Sequence, residues 1–508
     1  MIGWIKKLFG GSAQAAAPTC DARPHYRGAR LDERWARGFN PAHRAGDAAT
    51  RGSWSVMQSR IREMVANDPT MRRPSDVVVT MGCGKGPLVL AYVLQKSGGL
   101  VPKLDHTFNF AADEHWERWC KRNGAARLFK VCWREWVDTG NVLVVRYRNA
   151  DGSPAYQVKE SEQLDRRLDR PRRDGQNEIS HGIEYGADGK PVFYHFYKAH
   201  PNDDHALADG QVSEAVPVSQ VKHLFIPTRG SQRFGIPFHQ AMMRSAADGD
   251  FLVGTELTSA AVAALFTAVI KTADDGLSDE EETGFDDGQP NEDANGNTFK
   301  KLGPGTVARL QPGEEVETIT SGRPNKAISD FLRFLWLINS QATGISYHRM
   351  TGDVAGASYT SLRAAMLDDA AYIEPLQQAF FEEIVEPMRL EVDQWGIGIG
   401  EIPVSAVEYL NNPQRYQALG IVGPGQDWLQ PDQEVEATKA AIACGLTSLP
   451  VECGRWGRHW LKNLRDAAMV KAACIDLDIT LDFSKGNGGK PTDGAPPEKK
   501  PSPRKEAV

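Results

Sequence analysis

Few stretches of this 508-residue chain hold residue types that chemistry uses, and spacing decides what each could do. Gly82, Gly84, Lys85 and Gly86 suggest a loop that cradles phosphate. A Walker A loop needs a glycine five residues before its Gly-Lys pair and a Ser or Thr after the lysine, where this chain has Val79 and Gly86. Nucleotide binding is therefore not expected there. His195, His200 and His205 stand at five-residue intervals, a spacing that puts side chains on one face of neither a strand nor a helix, so no metal site is expected. The seven cysteines are odd in number and include no C-x-x-C pair, which argues against a disulfide framework or a zinc cluster and fits a reducing compartment. Neither a G-x-S-x-G elbow nor a Cys and His arrangement stands out. The carboxylate pairs Asp368-Asp369 and Glu382-Glu383 lie in helical stretches, where a solvated surface is the default account. The expectation is a protein with no catalytic residues, no metal and no cofactor.

The elements around these residues describe a mechanical part instead. Pro324 and Asn325 open a helix carrying Phe331, Leu332, Phe334, Leu335, Trp336 and Ile338, and Gly344 lets the chain leave it. A glycine-containing loop over 345–358 follows, and Ser358 can cap the next helix. From Tyr359 to Trp395 the apolar spacing at Leu362, Met366, Ile373, Leu376, Phe380 and Ile384 is helical, a run of roughly 55 Å if unbroken. Pro375 and Pro387 predict that it is not straight.

Earlier in the chain, residues 10–24 read as linker, and WSVMQSRIREMVAND as an amphipathic helix. VVVTMGCGKGPLVLAYVL reads as strand-like runs around a glycine cluster. Trp116, Trp119, Phe129, Trp133 and Trp136 form an aromatic stripe of the kind that is more often core than a base-stacking platform. Asp151-Gly152 and Asp188-Gly189 mark hairpin turns, which with the preceding helices predict an α+β region. The alanine-rich helix 237–265 suits close packing. An acidic loop over 273–297 and two short strands about Pro312-Gly313 follow.

Net charge is −7, unevenly spread: residues 1–75 hold 13 Lys or Arg against 6 Asp or Glu, and residues 274–293 hold ten acidic groups and no basic one. That net charge argues against a coat gripping phosphate everywhere. The start, MIGWIKKLFG, is interrupted by Lys6 and Lys7 and lacks the apolar core of a signal peptide, and membrane spanning is not expected.

The order Thr351-Gly352-Asp353, a short loop, then Ser358-Tyr359-Thr360-Ser361 and Arg363 opening a long helix resembles the portal proteins of tailed bacteriophages of the lambda type. YRGARLDERWARGFNPA, RIREMVANDPT, GIEYGADGKPVFYHFYKAHP, VKHLFIPTRGSQRFGIP, and Trp428, Pro431 and Asp432 ahead of AIACGL agree in sequence order, covering about residues 26–450. One departure is Gln232-Arg233-Phe234-Gly235, where an Arg-Gly pair is expected after the glutamine.

The resemblance implies an α+β portal-type fold with a wing, long stem helices, a small α/β clip and a helical crown, assembled as a ring of about twelve copies. By position it implies a flexible arm at 1–25, a wing at 26–236, a stem helix at 237–265, the clip with its acidic loop at 266–323 and a second stem helix at 324–344. A tunnel loop at 345–358, a long helix and wing return at 359–425, a crown-like region at 426–484 and a disordered tail at 485–508 complete the plan. Tyr347, His348, Arg349, Met350 and Asp353 would approach DNA, the alternative for the first four being packing against the neighbouring subunit, with Ser358, Tyr359 and Arg363 at the junction of loop and helix. The implied partners are further copies of the chain, the terminase large subunit, the major capsid protein, head-tail connector proteins and double-stranded DNA. The implied location is the portal vertex of the virion, with host cytoplasm during assembly. The competing readings are a DNA-packaging nuclease or ATPase, which would need a carboxylate-metal cluster or a Walker loop, and a monomeric scaffold or adaptor.

Overall fold

The computed structural model describes residues 42–95, 103–203, 212–265, 327–425 and 431–479, with the short strands 269–272, 291–292, 298–299 and 314–317. The expected arm and tail, and nearly all of the acidic loop, lie outside these residues. The chain divides into two units. Within the smaller one, the short helix α1 (Gly46–Thr50) is bound to residues 228–233, where Gly46 N–H donates to Ser231 Oγ at 2.8 Å and Arg233 N–H to Asp47 Oδ1 at 2.7 Å.

The larger unit begins with helices α2 (Trp54–Asn67) and α3 (Pro69–Gly82). Asp68 caps α3 by accepting from Thr70 N–H, and Pro69 supplies a helical φ at its first position. The run Val77-Val78-Val79, expected as strand, is helical. Its β-branched residues are nearly inaccessible to solvent, and burial against the core outweighs their weak strand preference. Gly82 ends α3 where a Cβ would lie 2.3 Å from the Trp133 ring, so glycine lets the two elements touch. Strand β1 (Leu88–Ala91) follows, then α4 (His106–Asn123) and α5 (Ala125–Thr139), separated by Gly124 at φ 62°. The aromatic stripe is core, as its spacing predicted: Trp116, Trp119, Phe129, Trp133 and Trp136 are all buried. Each contributes about 2 kcal/mol or more by leaving water.

Both predicted hairpins form. β2 (Asn141–Arg148) pairs with β3 (Pro154–Lys159) across Asp151-Gly152, and β8 (Val221–Phe225) completes a sheet of order β3-β2-β8. β4 (Glu178–Ser180), β5 (Ile183–Tyr185), β6 (Pro191–Tyr197) and β7 (Ser213–Pro217) make a four-stranded antiparallel sheet in sequence order, with Asp188-Gly189 between β5 and β6. Just beyond β8, Gly235 approaches Gly140 so closely that a Cβ would sit 1.8 Å from the Gly140 carbonyl oxygen. Phe234, at the departure from the family pattern, packs edge-on against Trp54 with ring centroids 4.5 Å apart.

Helix α6 (Met243–Leu265) starts later than expected, after turns over 237–242. β9 (Val269–Thr272) pairs with β12 (Glu314–Glu317), and β10 (Asn291–Glu292) with β11 (Thr298–Phe299). The first of the two strands expected about Pro312-Gly313 lies outside the described residues. α7 (Ile328–Thr343) ends at Gly344, whose φ of 71° and N–H to the Ser340 carbonyl form a left-handed cap. After the short helix α8 (Tyr347–Thr351), α9 (Tyr359–Phe380) runs through a π-turn at Phe381–Val385 into α10 (Glu386–Gly398). Pro375 is carried inside α9, and the π-turn directly precedes Pro387, where the helical ladder loses a donor. Phe380, Ile384, Met388 and Val392 from this run pack with the tryptophans of α4 and α5 in one core.

α11 (Ala406–Asn411) leads to β13 (Leu419–Val422), which pairs with β1, and α12 (Pro431–Ala443), α13 (Leu449–Arg455) and α14 (Trp460–Asp476) follow. A buried charge cluster ties these parts together. Arg389, with no exposed surface, donates to Asp393 at 2.7 Å and Asp113 at 3.3 Å, while Arg465 of α14 reaches Asp113 at 2.9 Å. No helix among the described residues is long and apolar enough to cross a membrane.

Candidate functional site

The segment between α7 and α9 is built on one carboxylate. Asp369 of α9 is 1% exposed, and its Oδ1 accepts from Ser346 N–H at 2.7 Å. Its Oδ2 accepts from Ser346 Oγ at 2.8 Å and from Arg349 Nε at 3.0 Å. A surface role was expected for the Asp368-Asp369 pair. Asp369 is instead a buried clasp, and its burial is made tolerable by three donors, one of them charged. Glu382 and Glu383 are exposed, as expected.

Residues 347–351, expected as loop, form the helix α8, and each of the residues expected to approach DNA has a partner within the chain. Tyr347 donates its hydroxyl to Asp353 Oδ2 at 3.0 Å, and burial together with that bond raises its pKa. His348 Nδ1 lies 2.7 Å from the Asp353 carbonyl oxygen. Arg349 is held by Asp369, and Met350 is buried with its sulfur 3.9 Å from Thr343 Oγ1. Asp353 also accepts from the Ala355 N–H, which with the Tyr347 hydroxyl keeps its carboxyl below the usual range. Gly352 and Gly356 both take positive φ, 77° and 73°, where a side chain would strain the backbone.

The junction residues begin α9. Ser358 caps the helix by accepting from Ser361 N–H at 3.2 Å. Arg363 is paired with Glu434 of α12, a bond that raises the arginine's pKa further. Tyr359 and Arg363 line a cavity of about 480 Å³ with Glu434, Glu452, Arg455 and Trp456.

The other candidate groups are engaged structurally. Gly84 and Gly86 adopt φ of 52° and 101° in the turn after α3. His195 meets Glu184 at 3.4 Å. His200 lies 3.3 Å from Glu160, with Glu162 near enough for the three to hold a metal ion. Both Glu162 oxygens accept from Arg62, however, and His200 Nδ1 accepts from Asn202 N–H, which leaves the proton of a neutral ring on the nitrogen facing Glu160. His205 lies outside the described residues.

Asp369 and Glu434 were missed in the sequence. Asp369 had a signal, since it falls between Met366 and Ile373 in the apolar stripe of its helix.

The sequence model of the family described as "Phage portal protein, lambda family" matches residues 32–377. The "Probable portal protein" of Halomonas phage phiHAP-1 is 23% identical over 432 residues, 82% of this chain and 79% of that protein. Among solved structures, a chain of the "Virion of native gene transfer agent (GTA) particle" is similar at 15% identity and a TM-score of 0.41, covering 81% of this chain and 98% of that one. A chain of the "Neck of native GTA particle computed with C12 symmetry" is similar at 14% identity and a TM-score of 0.38, over 79% and 92%. With a family model spanning more than half of its length, this chain belongs to the lambda family of phage portal proteins.

Proposed function

We propose that this portal protein works at the capsid vertex as one subunit of a ring of about twelve copies, through which double-stranded DNA is packaged and later ejected. The observation that carries this reading is the family match over residues 32–377. It agrees with the plan of the chain, in which α6 and α7 flank the strands β9 to β12 and α8 leads into the long helix α9 to α10. α6 and α7 act as the stem, 266–323 as the clip, 345–358 as the tunnel segment and α12 to α14 as the crown. The ring docks the terminase large subunit during packaging and head-tail connector proteins afterwards, and contacts the major capsid protein at its rim. Assembly takes place in the host cytoplasm.

A conduit must not bind DNA tightly. Every phosphate neutralised by Lys or Arg adds salt-dependent affinity, so a basic wall would stall a moving duplex. The protein acts without catalysis of its own, and packaging energy comes from the separate motor. Negative-stain images and a solution mass test the reading. The expected result is rings with a central hole and a mass of about 670 kDa, about twelve times the 55.9 kDa of one chain. A monodisperse single-chain species at micromolar concentration would overturn it.

A further inference from the structure

We infer that Asp369 is a positioning residue that clasps residues 346–351 onto α9, confining motion to residues 354–357, so that a passing duplex meets an uncharged tip at Val354, Ala355 and Gly356. This rests on the channel reading above and deepens it. Two nested tethers carry the argument. Asp369 holds the start of α8 through the Ser346 N–H, the Ser346 hydroxyl and Arg349. Asp353 is in turn held to α8 by the Tyr347 hydroxyl and by His348 Nδ1 on its carbonyl. The cationic and aromatic groups of the segment are thereby spent on anchoring.

Beyond Asp353 the bonds are local turns only, Ala355 N–H to Asp353 Oδ1 at 2.9 Å and Ala357 N–H to the Val354 carbonyl at 3.1 Å, and neither ties the stretch to a helix. Val354 is 57% exposed, and Ala355 and Gly356 are exposed as well. Gly352 and Gly356, at positive φ with open space where a Cβ would stand, bracket this stretch as pivots. A tip of small apolar residues releases no counterions from the duplex, so its contact is van der Waals and independent of salt. The clasp gives the tip a fixed base, and the absence of charge lets DNA slide.

Hydrogen exchange on the assembled full-length protein tests the clasp. The bonded amides of Ser346, Met350 and Gly352 should exchange at least about tenfold more slowly than those of Val354 and Gly356. Asp369→Asn should speed the first group while leaving the second unchanged, and Arg349→Ala, which keeps both Ser346 bonds, should speed it less. Equal exchange of the two groups in the unaltered protein, or no change in either variant, would overturn the clasp. A benzophenone amino acid at position 354 or 348 of DNA-filled particles tests the tip. Crosslinks to DNA from 354 alone are expected. Crosslinks from 348, with or without 354, would overturn the confinement of motion but leave the channel reading standing. Crosslinks from neither would overturn the channel reading itself, and the exchange arm would still decide the clasp.

Discussion

Truncating Phe334 to alanine should loosen the ring without harming the subunit. On α7, Asn339 and Thr343 turn inward and are buried, while Phe331, Phe334, Leu337 and Ile338 face out, with Phe334 58% exposed in the isolated chain. An aromatic side chain offers 150 to 250 Å² of surface, so about 100 Å² of Phe334 stays in water until another copy covers it. At about 25 cal/mol per Å² that burial is worth about 2.5 kcal/mol, of which alanine forfeits about 2. Each subunit interface would then weaken by about 30-fold. Mass photometry over a dilution series of unaltered and Phe334→Ala protein reads the effect as a dissociation midpoint shifted to higher concentration. Thermal unfolding of the dissociated subunit supplies the control and should be nearly unchanged, because Phe334 is already more than half exposed within its own chain. If Phe334→Ala rings fall apart at the same concentration as unaltered ones, the outward face of α7 is not a subunit interface.

The other predictions use the same logic elsewhere. Ala261→Asp on α6 should weaken assembly by setting an unpaired charge at a close contact, and an unchanged oligomer mass would count against α6 as a stem helix. The purified chain should not hydrolyse ATP, since the loop at Gly82 to Gly86 lacks the Walker spacing; turnover that survives purification and is lost in Lys85→Ala would refute this. Burial pushes the Asp138 carboxyl up to about 6, against the pull of Arg134 and the Ser75 hydroxyl. A raised folded-state pKa gives stability that is present below the ordinary value of 3.8 and lost as pH rises through about 6, a change of up to about 3 kcal/mol. Asp138→Asn should remove that part of the slope, and unfolding midpoints that fall in parallel for both proteins between pH 4 and pH 7 would refute the assignment.

What the sequence made legible was whatever a local rule decides. Asp151-Gly152 and Asp188-Gly189 specify their turns through positive φ at the glycine, 80° and 75°, and both hairpins formed where expected. The tryptophan stripe read correctly as core because helical spacing put its members on one side. Val77 to Val79 misled because their strand preference is a small local term, and the burial that overrode it depends on residues far away in the chain, among them Phe380 and Ile384. The segment 345–358 misled for a related reason. Gly352, Gly356 and the capping Ser358 marked residues 345–358 as loop, and Tyr347, His348 and Arg349 looked available because no local rule pairs them, although Asp353 holds the first two.

The partner of Arg349 was visible, though, as an anomaly of pattern. In the series Leu362, Met366, Asp369, Ile373, Leu376, Phe380 the spacing alternates between four and three residues, and a carboxylate occupies a position that faces the protein interior. A buried carboxylate without donors costs several kcal/mol, so a chain that keeps one there must bring donors to it. The helix before the segment ends at Gly344, which leaves Ser346 and Arg349 as the polar groups entering the turn just opposite that stripe. In any helix where an acid interrupts an apolar stripe next to a loop, the loop residues that look most able to bind a partner are the ones most in demand as its anchors. The uncharged residues beyond them are then the ones left to touch what passes.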